Sequence, residues 1–564
     1  MATVSRPTAW TRRSLTIGRT EPVHPALRVA EGQSVHVSLW ESLSLLSLIA
    51  LLGSLLGVRA ATMLHIYPAT IPSPLDRTFS VVQVFHGIEP RLANLGFVHP
   101  PIPALLEFPL VAWFPQLAYL GVSALLVSSV CAGASLMIFN LIMARHVPRR
   151  PLRYGLLALY QLNPLVLYLT ISGAGEMVFL MFMLLAWLAF QRVYFEEPLP
   201  FVQVGVMGIA LGLGFLSLFE GFIFGIVLFG VFAVVIFLQK RPGQWDAAEG
   251  LTVAALTPFG YAVITWLFFN KMIMNNPLFF VSGPRSLQDK VTEWVGTQRL
   301  LQDLLGNPAL STEYVFRATW GVAPALILLL PLGLALMLLR RDLFLMSVFL
   351  VVLSFPLSQG VLLLQGQSFG WLRDYVPLVP FTILMAAYCT RPRYFPLPSW
   401  VPMSLPVLAG AFLLLWGNAQ TWGGLQDPAV IAGGEVPFLK TTVGISQELT
   451  VSNDWVVSAY FREDLFNREP EALVFVDDSA ARNLILLSGH PRNFITPNIA
   501  LFYDFLLERG TSYVLVPDPE QQPRDAIAAQ YPHLFERGAP FALLTRSFQD
   551  GNGVDWKLYQ VTAQ

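Results

Sequence analysis

The residues best suited to chemistry lie between positions 64 and 107, in LHIYPATIPSPLDRTFSVVQVFHGIEPRLANLGFVHPPIPALLE. This stretch joins the first two apolar runs and carries Asp76, Arg77, His86, Glu89, Arg91, His99 and Glu107 beside a Pro100-Pro101 pair. Carboxylates and histidines within reach of arginines are the groups that move protons and hold anions. Charge is costly at the edge of an apolar slab, so ionisable residues near membrane depth mark function by default. The cluster points to an active site facing away from the cytoplasm. Further candidates are Glu176 in SGAGEM, Glu220 in LSLFEG, then Arg285, Asp289, Lys290 and Glu293 after the seventh apolar run, and Arg373-Asp374 in WLRDYVPLVP.

The elements that must position these groups follow from composition. The 564 residues are 54% hydrophobic and 13% charged, where a soluble domain carries about 25% charged residues. A helix needs about 20 apolar residues to cross a bilayer, and about eleven runs approach that length. They are residues 42–58, 117–144, 154–171, 177–190, 202–218, 222–239, 251–269, 321–339, 343–364, 375–388 and 401–416. The chain therefore reads as an α-helical polytopic membrane protein. Basic residues fall in alternate loops: Arg6, Arg12, Arg13 and Arg19; Arg145, Arg149, Arg150 and Arg153; Arg192; Lys240 and Arg241; Arg340 and Arg341; Arg391 and Arg393. That alternation puts the N-terminus in the cytoplasm and the C-terminus outside. The acidic candidates then share the outer face.

Residues 1–38 form the expected cytoplasmic tail, which has no signal-peptide pattern because no apolar core follows its basic stretch promptly. Residues 39–416 form the membrane domain. From 417 to 564 short apolar strands alternate with amphipathic helices, the pattern of an extracytoplasmic α/β domain. Strands are expected at 472–478, 493–497, 512–518 and 556–561, and helices at 479–488, 500–509 and 524–531. A net charge of −1 implies no nucleic acid or strongly charged partner. Cys131 and Cys389 sit in or at the end of apolar runs and suggest neither a disulfide nor a metal cluster. The basic-loop pattern and the lack of an organelle signal suit a cell inner (plasma) membrane within the cell envelope.

An acidic residue soon after the first run, with an HPP element leading into the second, resembles GT-C glycosyltransferases. These include the protein O-mannosyltransferases and lipid A aminoarabinose transferases. The likeness continues in order through NPLVLYLTISGAGEMVFLMFMLLAWLAF, LGFLSLFEGFIFGIVL, NNPLFFVSGP and LRDYVPLVPF, over most of residues 40–390. It implies a transferase that takes sugar from a polyprenyl-phosphate donor in the lipid bilayer to an extracytoplasmic glycan, lipid or protein acceptor. Asp76 matches the family's general base. Arg373, Arg91 and His99 are the implied ligands of the donor phosphate. Glu89, Glu176 and Glu220 are left to orient an acceptor sugar or to hold Mg2+ or Mn2+ through hard carboxylate oxygens. Two departures stand out. Arg77 follows Asp76 where a second acid is common, and Phe219 precedes Glu220 where relatives often have tyrosine. They leave room for a GT-C-like scaffold that does not catalyse and serves membrane-protein partners. A transporter fits less well, since few ionisable groups lie at mid-span.

Each candidate also has a structural reading. Asp76 can cap the helix that TFSVVQVF suggests, Pro100-Pro101 can start the next helix, and His99 can be satisfied locally. Arg373-Asp374 can be an interfacial pair, and Glu220 an exposed turn. Asp477-Asp478 reads as a helix cap and its neighbour.

Overall fold

Apolar runs close into helices because lipid offers no partner to a free backbone N–H or C=O. The computed structural model describes residues 37–64, 72–196, 201–239, 245–283, 286–390, 404–431, 435–443, 454–496, 510–522, 525–550 and 553–562. Among these, six helices are long and apolar enough to cross a membrane: Leu39–Thr62, Ser123–His146, Glu176–Phe195, Gly221–Leu238, Trp245–Met274 and Leu343–Leu364. Two bent pairs raise the number to eight. They are Arg150–Gln161 with Pro164–Ile171, bent by 66°, and Pro308–Val322 with Pro324–Arg340, bent by 105°.

Several of the expected runs are interrupted or shortened, for local reasons. Run 117–144 is cut at Gly121, which takes φ 70° and leaves Pro115–Tyr119 as a separate short helix. In run 154–171, Asn163 caps the second half by accepting from Leu165 N at 3.1 Å, and Pro164 has no N–H to continue the first. Pro324 breaks run 321–339 from the helix before it in the same way. Run 375–388 yields only the 12-residue helix Leu378–Cys389, well short of the roughly 20 residues a crossing needs. Run 401–416 lies partly outside the described residues, which show Ser404–Gly424 there. Glu220 does fall in a break, between Phe201–Phe215 and Gly221–Gln239. The expected N-terminal tail lies outside the described residues up to position 36.

The first loop is largely helical. Helix Pro72–His86 is followed by a 3-10 turn at Leu92–Leu95 and helix Pro101–Trp113. Pro100 is extended, with ψ 134°, and Pro101 takes the first helical position, where its missing N–H costs nothing. From Asp76 to Val84, helix Pro72–His86 is buried at every position except Ser80. A helix apolar on one side only would not need that.

The C-terminal domain supplies the second surface that buries it. Its five-stranded sheet runs β2-β1-β3-β5-β4. Strands β1 (Val474–Phe475), β2 (Phe494–Ile495) and β3 (Tyr513–Pro517) are parallel, and β5 (Asp555–Val561) is antiparallel to β3 and to β4 (Ala542–Gln549). Helix Asp478–Ser488 links β1 to β2, and Asp477 is its N-cap, accepting from Ser479 N at 2.9 Å. All four expected strands are present. The helix expected at 524–531 is the shorter Ala526–Gln530, and the one at 500–509 lies outside the described residues. Strand β4 was not expected, because this edge strand with its bulge near Leu544 leaves most of its residues exposed and shows no clean alternation. One hydrophobic core joins Phe79, Val82 and Val111 of the loop to Phe461, Leu484 and Leu558 of the C-terminal domain.

Phe79 is the largest loop side chain in that shared core. Truncating a buried phenylalanine costs about 3–5 kcal/mol. In Phe79→Ala, limited proteolysis of membrane vesicles should release the C-terminal domain faster than in the wild type. Equal protection would mean that the domain is held by other contacts.

Candidate active site

Asp76 lies in the second turn of helix Pro72–His86, so it does not cap that helix. Its carboxylate meets cations from two distant segments. Arg482 Nη1 donates to Oδ1, and Lys290 Nζ donates to Oδ2 at 2.9 Å. His99 Nε2 is 3.6 Å from Oδ2 and accepts from Lys290 Nζ at 3.2 Å. Burial alone would raise the Asp76 carboxyl, but Arg482 and then Lys290 outweigh it and hold the group well below the usual carboxylate range. Burial, and then Lys290, push the His99 imidazole down to about 4, which leaves it neutral near pH 7. The result is an ionised, buried carboxylate between two cations and a neutral acceptor.

Arg77, next along the helix, points the other way. Its Nε meets Glu107 Oε1 at 2.5 Å, and its Nη2 donates to the Gly173 carbonyl at 2.5 Å. Thr78 and Ser123 hydroxyls donate to the other Glu107 oxygen at 2.8 and 3.1 Å. These bonds pin the Asp76 helix to helix Pro101–Trp113 and to the turn that opens helix Glu176–Phe195. The fit at that turn is close: a Cβ on Gly175 would lie 3.4 Å from Arg77 Nη1.

Lys290 comes from helix Leu287–Thr297, where Ser286 is the N-cap. Trp294, four residues on and so on the same helix face, donates from its indole to the Phe369 carbonyl at 3.0 Å. It meets the Trp371 ring edge-on at 6.0 Å. Trp371 stacks on Phe369 at 4.2 Å, and the Arg373 guanidinium lies 3.7 Å from its ring centroid. Arg373 is buried, with Nε 3.0 Å from Glu176 Oε1. One helix thus puts Lys290 on Asp76 and Trp294 on the platform beneath Arg373, about one helical turn apart.

A small cavity beside Arg373 is lined by Glu176, Glu220, Asp374, Ser358, Gln359 and Phe355. Burial, and then Glu220, hold the Asp374 carboxyl well above its usual range. Burial first, with Glu176 adding to it, also raises Glu220. A carboxyl kept protonated can donate a hydrogen bond as well as accept one.

The structure therefore divides the expected residues into two neighbouring groups and a remote pair. His99 joins Asp76. Arg373, Glu176 and Glu220 gather around the second cavity, linked to the first group through Trp294 and Trp371. Glu89 and Arg91 pair with each other at 3.6 Å, both about a third exposed, and Arg91 also bonds Asn94. His86 meets the Val111 carbonyl at 3.0 Å. Arg285 lies outside the described residues. Among the described residues no group of three or more His, Cys, Asp or Glu is placed to hold a metal ion. Glu89 and Glu176 each stand beside an arginine.

Sequence reasoning names Lys290 without giving it a role and passes over Arg482. Lys290 was visible only as a charge in what read as a loop, and its helix was not. Arg482 looks like the solvated face of an amphipathic helix, with its partner 406 positions away.

No family model matches this sequence, and no curated protein matches it. Solved structures do. ArnT from Cupriavidus metallidurans bound to undecaprenyl phosphate superposes with a TM-score of 0.55, covering 93% of this chain and 99% of that one at 11% identity. The apo state of the same ArnT gives 0.50, with 92% and 97% covered at 12% identity. The fold is GT-C-like. At this identity the likeness is one of fold, and it extends through the C-terminal domain. The GT-C-like fold agrees with the order of motifs read from residues 40–390.

Two measurements probe this geometry. Glu107→Gln strands Arg77 in a buried site, which costs about 3–5 kcal/mol; Arg91→Gln removes a half-exposed pair worth about 0–1 kcal/mol. Thermal unfolding in detergent should drop markedly for the first and little for the second, and equal drops would refute the contrast. The second concerns pH. An unfolded histidine takes a proton below about 6.5, whereas folded His99 resists until about 4. Stability is therefore present above the upper value and declines as pH falls between the two. Asp76, whose folded value is depressed, adds stability that is lost only as pH falls from the usual carboxylate range through its own lower one. Melting from pH 7 to 5 should fall less steeply in His99→Gln than in the wild type. Parallel slopes would contradict the His99 assignment.

Proposed function

We infer that the protein is an integral membrane glycosyltransferase that moves a sugar from a polyprenyl-phosphate donor to an extracytoplasmic acceptor, with Asp76 as general base. The observation that supports this is the buried, ionised Asp76 carboxylate facing Lys290 in a GT-C-like fold. An acceptor hydroxyl holds its proton far above pH 7 and needs a base as it attacks the anomeric carbon. Asp76 receives that proton. The departing lipid phosphate gathers negative charge, and a fixed cation in a water-poor site stabilises it. Lys290 is the nearest such cation that the membrane domain itself supplies, and His99 holds its ammonium in place. The ArnT that is similar in fold was solved with undecaprenyl phosphate, a lipid phosphate of the class invoked here.

The second group suits the sugar. Phe369, half-buried and stacked on Trp371, offers an apolar edge, and Glu176, Glu220 and Asp374 offer acceptors and donors for hydroxyls, with Arg373 setting the Glu176 carboxylate. Arg91 and Glu89 stand apart, and a role for them lies with the acceptor. No step requires a metal. The alternating basic loops support an N-terminus inside and a C-terminal domain outside an inner membrane, with the shorter apolar helices completing the span count. A second reading, a GT-C-like subunit that does not catalyse, is favoured by two observations: cations occupy both Asp76 oxygens, and Arg77 stands where a second acid is common.

Membranes carrying the wild type or Asp76→Asn, supplied with labelled polyprenyl-phosphate sugars, separate the readings. Loss of a general base lowers the rate by about 10²–10⁴-fold, so transfer should fall by that much. Transfer at the wild-type rate in the variant would remove Asp76 as the base. A wild type silent across a panel of donors would favour the non-catalytic subunit.

A further inference from the structure

The cation bonded to Asp76 Oδ1 belongs to the C-terminal domain. Arg482 sits on helix Asp478–Ser488, whose Ala481, Leu484 and Ile485 are buried in the core shared with Phe79 and Val82. Its Nη2 donates to Asp478 Oδ2 at 3.1 Å, one turn back on the same helix, while Nη1 donates to Asp76. Asp478 is fully buried and Arg482 is only 17% exposed. Packing therefore aims the guanidinium at the membrane domain's site.

We propose that Arg482 is a ligand of the donor phosphate that Asp76 holds in reserve, so that donor binding itself releases the base. This rests on the glycosyltransferase reading above. The charge balance at the site carries the inference. Asp76 and Asp478 contribute two negatives, Arg482 and Lys290 two positives, and His99 is neutral. The resting site is balanced, so an incoming phosphate is received only if a carboxylate gives up its cation. Asp478 lies on the same helix as Arg482 and keeps its hold. Asp76 is the partner that yields. The planar guanidinium suits a phosphate through two parallel N–H bonds, which an ammonium cannot offer.

With the phosphate on Nη1, Asp76 loses its strongest cationic neighbour and becomes a better proton acceptor when the donor is in place. The acceptor oxygen then bonds to the anomeric carbon, and its proton passes to Asp76. The bond from the anomeric carbon to the phosphate oxygen breaks, and its electron pair stays on that oxygen, facing Arg482 and Lys290. When the lipid phosphate leaves, Asp76 returns the proton to water and pairs with Arg482 again. The C-terminal domain is thereby part of the reacting site.

The test is the binding of undecaprenyl phosphate to the full chain in lipid nanodiscs, read as an apparent dissociation constant. Removing one charge-assisted hydrogen bond should weaken binding by about tenfold or more in Arg482→Gln, with Arg482→Lys between that and the wild type. Asp76→Asn should bind more tightly than the wild type by at least a few-fold, because the competing carboxylate is gone, although its transfer is slowed. A purely structural Arg482–Asp76 pair predicts no gain in Asp76→Asn. In active preparations the acid limb of kcat/KM should also move to higher pH in Arg482→Lys, since Asp76 is then less strongly held. Protease protection of the C-terminal domain reports whether Arg482→Gln is folded; if it is not, Arg482→Lys and Asp76→Asn decide. Unchanged or weaker binding in Asp76→Asn, or wild-type binding in folded Arg482→Gln or in Arg482→Lys, overturns the proposal. A wild type that binds undecaprenyl phosphate and transfers sugar while these variants behave alike sinks this proposal alone. A wild type that binds no undecaprenyl phosphate sinks the glycosyltransferase reading with it.

Discussion

A carboxylate taken out of water stays charged only if cations follow it, and the arrangement around Asp76 turns on that requirement. Its partners come from helix Leu287–Thr297 and from the C-terminal domain, with His99 of the same loop alongside. Packing brings these segments together: helix Asp478–Ser488 is seated in the core shared with Phe79 and Val82, and Trp294 ties helix Leu287–Thr297 to the Phe369 carbonyl. Their cations meet one buried negative charge, which left unpaired in a low-dielectric crevice would cost several kcal/mol. Three parts of the chain meet at that carboxylate.

The neighbouring residue divides the labour. Asp76 and Arg77 project from adjacent positions of one helix in different directions, one toward mobile chemistry and one toward fixed structure. Arg77 has its own counter-charge in Glu107 and its own carbonyl at Gly173, so the two charges do not neutralise each other. Had they paired side by side, the helix would carry no charge outward and no anchor inward. The arginine that looked like a lost second acid holds the first one in register.

How much of this could be read from the chain depends on the range of the interactions. Apolar runs and period-2 strands are local patterns, and the membrane helices, β1, β2, β3 and β5 follow them. The cap at Asp477 is a two-residue signal and was legible too. Prolines at 164 and 324 were visible, but the angle at which each chain leaves its break is set by neighbours far along the sequence. Strand β4 stayed hidden because an exposed edge needs no alternation. Asp76, His99 and Glu176 could be picked out as charges in the wrong solvent. Arg482 could not, because a charge on an amphipathic helix is ordinary until its partner is known. Arg373 could be picked out in the same way, but which carboxylates surround it is a fact of packing alone.

The core shared by Phe79, Val82 and Leu484 bears on what counts as a unit here. Composition changes sharply near residue 417, and a reader of hydropathy would cut there. The packing ignores that line, since part of the hydrophobic interior of the C-terminal domain is carried in on a helix some 400 residues earlier in the chain. Severed at the compositional line, the C-terminal part would present an open apolar groove and Arg482 without Asp76, and the N-terminal part would present the matching ridge. A water-soluble version of the C-terminal domain would have to take the Pro72–His86 segment with it.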